Sequence, residues 1–133
     1  MPAAPHSERI DRIYCTLSAV SRALVKAQSH QEFLSQVLRD LVEVGGFSMA
    51  YVARYRADTA QLVPAAQCGD SLGYVDRLQL FGDDRPQGQS PEGTAFRTGT
   101  ESICNDLLND PRASLWHEAA IASGWKSSAA FPI

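Results

Sequence analysis

Two stretches of this chain bring together residue types that could do chemistry. Gly88-Gln89-Ser90-Pro91-Glu92-Gly93 opens a helix with glycines close by, a setting in which backbone N–H groups can receive an anion. No Gly-Lys-Ser/Thr follows, and Asp83, Asp84 and Glu92 already place negative charge there, so capping is a better reading than a phosphate cradle. Cys104-Asn105-Asp106, with His117 further on, supplies a thiol, a carboxylate and an imidazole. Catalysis would need the thiolate activated by a base and an orienting group, which nearness in sequence does not establish. A buried thiol on a strand, followed by Asp106 capping a turn, is the simpler expectation.

Metal chemistry has little support. Cys15, Cys68 and Cys104 are odd in number and far apart, and His6, His30 and His117 lack ligand spacing. Neither a metal nor a cofactor is expected.

The elements that position these residues follow from composition and pattern. A length of 133 residues suits one domain, and 44% hydrophobic with 20% charged residues is ordinary for a soluble one. A net charge of -3, with no run of Lys or Arg, argues against nucleic acid as a partner. Glu8, Arg9, Asp11 and Arg12 interrupt any signal peptide, and no apolar run reaches the ~18 residues of a membrane span, so a cytoplasmic location is expected.

Residues 1 to 6 read as a frayed tail. From Ser7, residues Ile10, Ile13, Leu17, Val20, Leu24 and Ala27 recur at alternating intervals of three and four, a heptad seam suited either to a partner helix or to the chain's own sheet. Ser29 to Glu32 has capping-box spacing, with Glu32 expected to reach back to the Ser29 N–H. The helix that follows carries Phe33, Leu34, Val37, Leu38, Leu41 and Val42 on one face and ends at Gly45-Gly46.

Alternation predicts a strand over 47–56, a turn at Asp58-Thr59 and a returning strand over 61–67, in which Pro64 implies an edge or a bulge. Gly69-Asp70-Ser71 is expected to cap a short helix near residues 72–77, with an extended segment around Leu78 to Phe81 and a polar loop at 83–87. Ser90 and Pro91 start a helix of two turns that Gly99 stops, and Ile103-Cys104 form a strand. Asp110-Pro111 starts another helix, stopped by Gly124, and 126–133 reads as a strand with Ala129, Phe131 and Ile133 on one face.

The run from Gly88 to Asp106, then Asp110-Pro111-Arg112, Trp116, Ala119-Ala120, Gly124 and Ser127 to Ile133, resembles the GAF domain of bacterial signalling proteins. Phe47 to Val52 is similar to that family's first strand and Val63 to Ala66 to its second. The resemblance implies an α+β fold with a central antiparallel sheet flanked by helices. Residues 1–28 would be a tail and signalling helix, and 29–133 the domain. The family continues past the position of Ile133 with a further strand and usually a helix, so the resemblance implies that these are lacking here.

The resemblance also implies function: a regulatory sensor, not itself an enzyme, that binds a small molecule and controls an output domain such as a diguanylate cyclase, phosphodiesterase or histidine kinase. A pocket wall of Tyr51, Tyr74, Phe96, Cys104, Trp116 and Ala129 is expected, with Arg97 or Asp106 for polar contacts. A homodimer is expected, through the Ile10 to Ala27 seam or the edge near Ile133. Two alternatives remain. One is a free-standing enzyme similar to free methionine-(R)-sulfoxide reductases, for which Cys68 and Cys104 would have to approach. The other is a dimerisation module without ligand.

Overall fold

The structure, a computed structural model, describes residues 6–133. The tail expected at residues 1 to 6 lies outside the described residues except for His6. Two compact units divide the chain: Met1–Val52 with Ala65–Ser71, and Ala53–Pro64 with Leu72–Ile133.

The first unit begins with two helices, α1 (His6–Lys26) and α2 (His30–Glu43). The three-residue connection makes them antiparallel neighbours. Ser29 Oγ accepts from the Glu32 N–H at 3.1 Å, as capping-box spacing predicts. Glu32 Oε2, however, reaches one residue further back than expected and accepts from the Gln28 N–H at 2.9 Å. Leu34 and Leu38 are buried on α2, whereas α1 buries only Ala19 and Ala23. The expected seam does not pack on a sheet of the same chain: Ile10, Ile13, Leu17 and Leu24 are exposed.

Strand β1 (Ala50–Arg56) starts three residues later than alternation predicts. The Phe47 N–H is still donating to the Leu41 carbonyl at 3.2 Å, so the chain at Phe47 is completing the exit from α2. β2 (Gln61–Cys68) is the middle strand of the order β1-β2-β3, where β3 is Leu80–Phe81. The order makes β2 central, but Pro64 lies past the stretch that pairs with β3, so on that side it stands at an edge, as expected. The antiparallel pairing to β3 involves only Gln61↔Phe81 and Leu62↔Leu80, so no β3 residue faces Pro64 for a missing N–H.

In the second unit, helix α3 (Tyr74–Arg77) is capped by Gly73 in the left-handed region, without a side-chain bond. In the first unit the Asp70 N–H donates to Gln67 Oε1 at 3.1 Å. After a 3-10 turn at Pro86–Gly88 comes α4 (Pro91–Thr98), started by Ser90 Oγ on the Gly93 N–H at 3.3 Å and stopped by Gly99 at φ 67°. β4 (Ser102–Cys104) and β5 (Ser128–Ala130) form a separate antiparallel pair, Cys104 facing Ser128. Between them, Pro111–Trp116 is a 3-10 stretch kinked at Ala113, followed by α5 (His117–Ser123). The strand expected over 126–133 is thus three residues long. Phe131 and Ile133 are exposed, because the ladder ends before them and only the Cys104 side of the pair faces a core.

Candidate functional site

Cys104, Leu107, Ala113 and Ala120 are buried together, and Trp125 packs against them. Two segments converge on this cluster because the Leu107 N–H donates to the Lys126 carbonyl at 2.9 Å and the Trp125 N–H to Ala120 at 2.9 Å. Trp125 lies 6.1 Å from Trp116 between ring centres, and 6.4 Å from Tyr74 in an edge contact. Tyr74 is thereby propped from behind by an aromatic row. In front of it lies the Arg77 guanidinium, 4.4 Å from the ring centre, a cation–π arrangement. Arg77 Nε also donates to the Gly73 carbonyl at 3.2 Å and Nη2 to Leu72 at 2.8 Å, which fixes the charge in place.

A cleft of about 180 Å³ opens here, lined by Tyr74, Arg77, Leu78, Leu115, Glu118 and Ala119. Its wall has one cation, one anion, an aromatic ring and apolar side chains drawn from two separate segments. A hollow of about 250 Å³ in the first unit is lined only by the consecutive residues Gln67 to Ser71, so it offers one loop and no convergence. Drug-sized pockets run from roughly 300 Å³ upwards. The second unit's cleft is smaller, near the size of an amino acid.

The residues singled out from the sequence fall in several places. Tyr74 lines the cleft; Trp116 is buried two rings behind it, and Cys104 lies in the adjoining core. Phe96 stacks on Tyr55 with ring centres 4.3 Å apart, above Gly82, where a Cβ would come within 2.8 Å of Phe96. Arg97 Nη1 donates to the Asp83 carbonyl at 2.5 Å and to the Gly88 carbonyl, which holds the 83–88 loop in shape. Asp106 Oδ2 accepts from Asn109 Nδ2 at 2.8 Å, a turn-capping role. Tyr51 stands on β1 in the first unit, and Ala129 is exposed on β5. The wall expected as one surface is therefore not gathered around one cavity within the second unit: of its residues there, Tyr74 alone lines the cleft.

Arg77, Glu118 and Trp125 were not legible as site residues. Arg77 and Glu118 are too distant in sequence for any local spacing to pair them. An aromatic ring directly after the helix-stopping Gly124 was the one available signal for Trp125.

Cys104 sits in a polar knot that opposes nucleophilic chemistry. Its thiol donates to Asp110 Oδ2 at 3.4 Å, and Arg112 clasps the same carboxylate through Nη2 at 2.7 Å and Nε at 3.1 Å. Burial pushes the thiol up from its ordinary value and the Asp110 bond adds to this, so the thiolate is disfavoured. Arg112 holds the Asp110 carboxyl far below the usual carboxylate range. His117 Nε2 is 3.3 Å from the Asp110 carbonyl and not in hydrogen-bond contact with the thiol. The α4 N-terminus is also closed to anions: Ser90, Pro91 and Gly93 are buried, and Gly93 backs onto the Gly88 and Phe81 carbonyls. Among the described residues no group of three or more His, Cys, Asp or Glu could hold a metal ion, and no helix is long and apolar enough to cross a membrane.

An α+β chain with a long first helix, antiparallel sheets and a small mixed-character cleft has the form of a regulatory domain. The chain matches the GAF domain over residues 27–133 and belongs to that family, which carries a general regulatory, sensing role and is typically non-catalytic. No curated protein matches it.

Proposed function

We propose that this chain is the sensor part of a signalling protein and that it binds an amino-acid-sized molecule in the cleft between α3 and the 3-10/α5 segment. The observation that carries this reading is the convergence of Arg77 and Glu118, of opposite charge, beside the Tyr74 ring in about 180 Å³. A ligand with both a carboxylate and an ammonium would meet complementary charge at each end and bury its side chain against Leu78 and Leu115. Nucleotides exceed this volume. Occupancy would shift the balance between two packings of the domain, as differential affinity requires, and α1 (His6–Lys26) would carry the change towards an output domain such as a cyclase, phosphodiesterase or kinase.

The test is thermal unfolding, followed by circular dichroism, against the twenty amino acids and against cyclic AMP and cyclic GMP. A ligand present at a hundred times its Kd stabilises by about 2.7 kcal/mol, a rise of several degrees for a domain of this size. The expected outcome is a rise with one or a few amino acids, lost in Tyr74→Ala and in Arg77→Met. A rise with cyclic nucleotides alone would move the site elsewhere, and no rise with any compound would favour a module without ligand.

A further inference from the structure

The two segments that wall the cleft repeat one spacing. On one side stand Tyr74 and Arg77 of α3 with its C-cap Leu78; on the other stand Leu115 of the 3-10 stretch and Glu118 and Ala119 of α5. Each set runs i, i+3, i+4, the interval that places side chains on one side of a helical turn. The charges answer one another, Arg77 against Glu118, and among the described residues no ion pair joins them. The last members do not match: Leu78 is answered by an alanine.

Burial gives the cleft a direction. Arg77 and Glu118 are exposed and form its rim, Leu78 is half-buried, and Ala119 is the least exposed of the lining residues at 1%. Ala119 is held there from behind. Its neighbour Ala120 belongs to the buried cluster of Cys104, Leu107 and Ala113, and the Ala120 carbonyl accepts from the Trp125 N–H at 2.9 Å. Atoms added at residue 119 therefore meet packed core on one side and the cleft on the other.

We propose that Ala119 is the specificity-determining residue of the cleft: its small side chain leaves the room in which a ligand's aliphatic side chain lies, and the ligand class is the α-amino acids with uncharged aliphatic side chains. This rests on the reading of the cleft as an amino-acid site. The ammonium and carboxylate of such a molecule sit on one carbon, so both stay at the rim with Glu118 and Arg77 while the side chain points inward to Ala119, Leu78 and Leu115. The lining holds no third charged residue. A ligand side chain with a charge of its own is buried there without a partner, which costs more than its contacts return. Aliphatic side chains incur no such cost, and each buried methylene strengthens binding about fourfold. Leucine, three carbons longer than alanine, binds on the order of 50-fold tighter.

Isothermal titration calorimetry on the full chain, with alanine, valine, leucine, phenylalanine, aspartate and lysine as separate titrants, reads the outcome. Affinity rises from alanine through valine to leucine, phenylalanine binds more weakly than leucine, and aspartate and lysine do not bind. In Ala119→Leu the new side chain takes the ligand's place, so leucine loses about tenfold or more while alanine stays within about threefold of its original Kd. If Ala119→Leu loses its cooperative melt, Leu78→Ala carries the readout from the facing wall, with phenylalanine gaining about tenfold or more relative to leucine. Affinity that ignores side-chain length, a preference for aspartate or lysine, or a ranking that neither variant changes overturns the inference and leaves the amino-acid site standing. Failure of the unaltered chain to bind any of these compounds removes the site itself, and the role of Ala119 with it.

Discussion

Helices α1 and α4 distribute bulk in opposite ways. α1 turns Ala19 and Ala23 inward and leaves Ile13, Leu17 and Leu24 in solvent. The eight-residue α4 buries Pro91, Gly93 and Ala95, with Ser90 before it, while Phe96 is exposed by 43% and covered on one side by Tyr55. In both, the buried positions belong to small residues; in α4 the reason is close backbone, since Gly93 backs onto the Gly88 and Phe81 carbonyls. The difference is what happens to the large side chains: in α4 a ring partner lies within the same unit, and in α1 none does.

Substitutions test this contrast most severely where space is smallest. Gly93→Ala would drive a Cβ into the Gly88 carbonyl and to 2.7 Å from that of Phe81, both backbone atoms that cannot rotate away. We expect a loss of about 3 kcal/mol, read from the urea midpoint. A loss below about 1 kcal/mol would mean that the α4 approach is less tight than described. Arg97→Met comes next, since it removes the guanidinium from the Asp83 and Gly88 carbonyls. A cost of roughly 1–2 kcal/mol is expected, together with faster amide exchange in residues 83–88.

Acid probes the same unit through Asp110. Its carboxyl is depressed in the folded state, chiefly by hydrogen bonds from Arg112, below the ordinary 3.8. It therefore contributes stability that is present above that value and lost as pH falls from there towards the folded-state pKa. Asp110→Asn should flatten the dependence of stability on pH below about 4 while leaving the slope near neutrality unchanged. An unchanged acid slope would assign the titration to other carboxylates. Least is expected of Leu17→Glu in dilute solution: an exposed site changes single-chain stability by no more than about 0.5 kcal/mol. A large loss there would show that the α1 face is already occupied within the chain, and the contrast with α4 would disappear.

Much of the fold was legible because local chemistry decides it. Ser90 and Pro91, Gly99, Asp110 and Pro111, and Gly124 each start or stop an element where their own conformational preferences place it. The errors arose where tertiary geometry intervened. Of the two uses the Ile10 to Leu24 spacing allowed, packing on the chain's own sheet is not the one found: α1 buries Ala19 and Ala23, and no pattern in one helix reports which side its neighbour takes. Phe131 and Ile133 alternate like a core strand, yet the ladder stops at Ala130. The cleft was the least legible, because Arg77 and Glu118 are joined by folding alone. Tyr74 was named only as one of the wall residues that the family resemblance implied, not from any local pattern of its own.

The aromatic row behind the cleft has a spectroscopic consequence. The chain has two tryptophans, Trp116 and Trp125, and both stand in that row. Excited selectively, the protein emits from one half of itself only, while the helix hairpin contributes ellipticity and no indole light. A melt recorded in both signals is thus a measurement of two regions at once: coincident curves would show one cooperative transition, and separated curves would show the hairpin coming apart on its own.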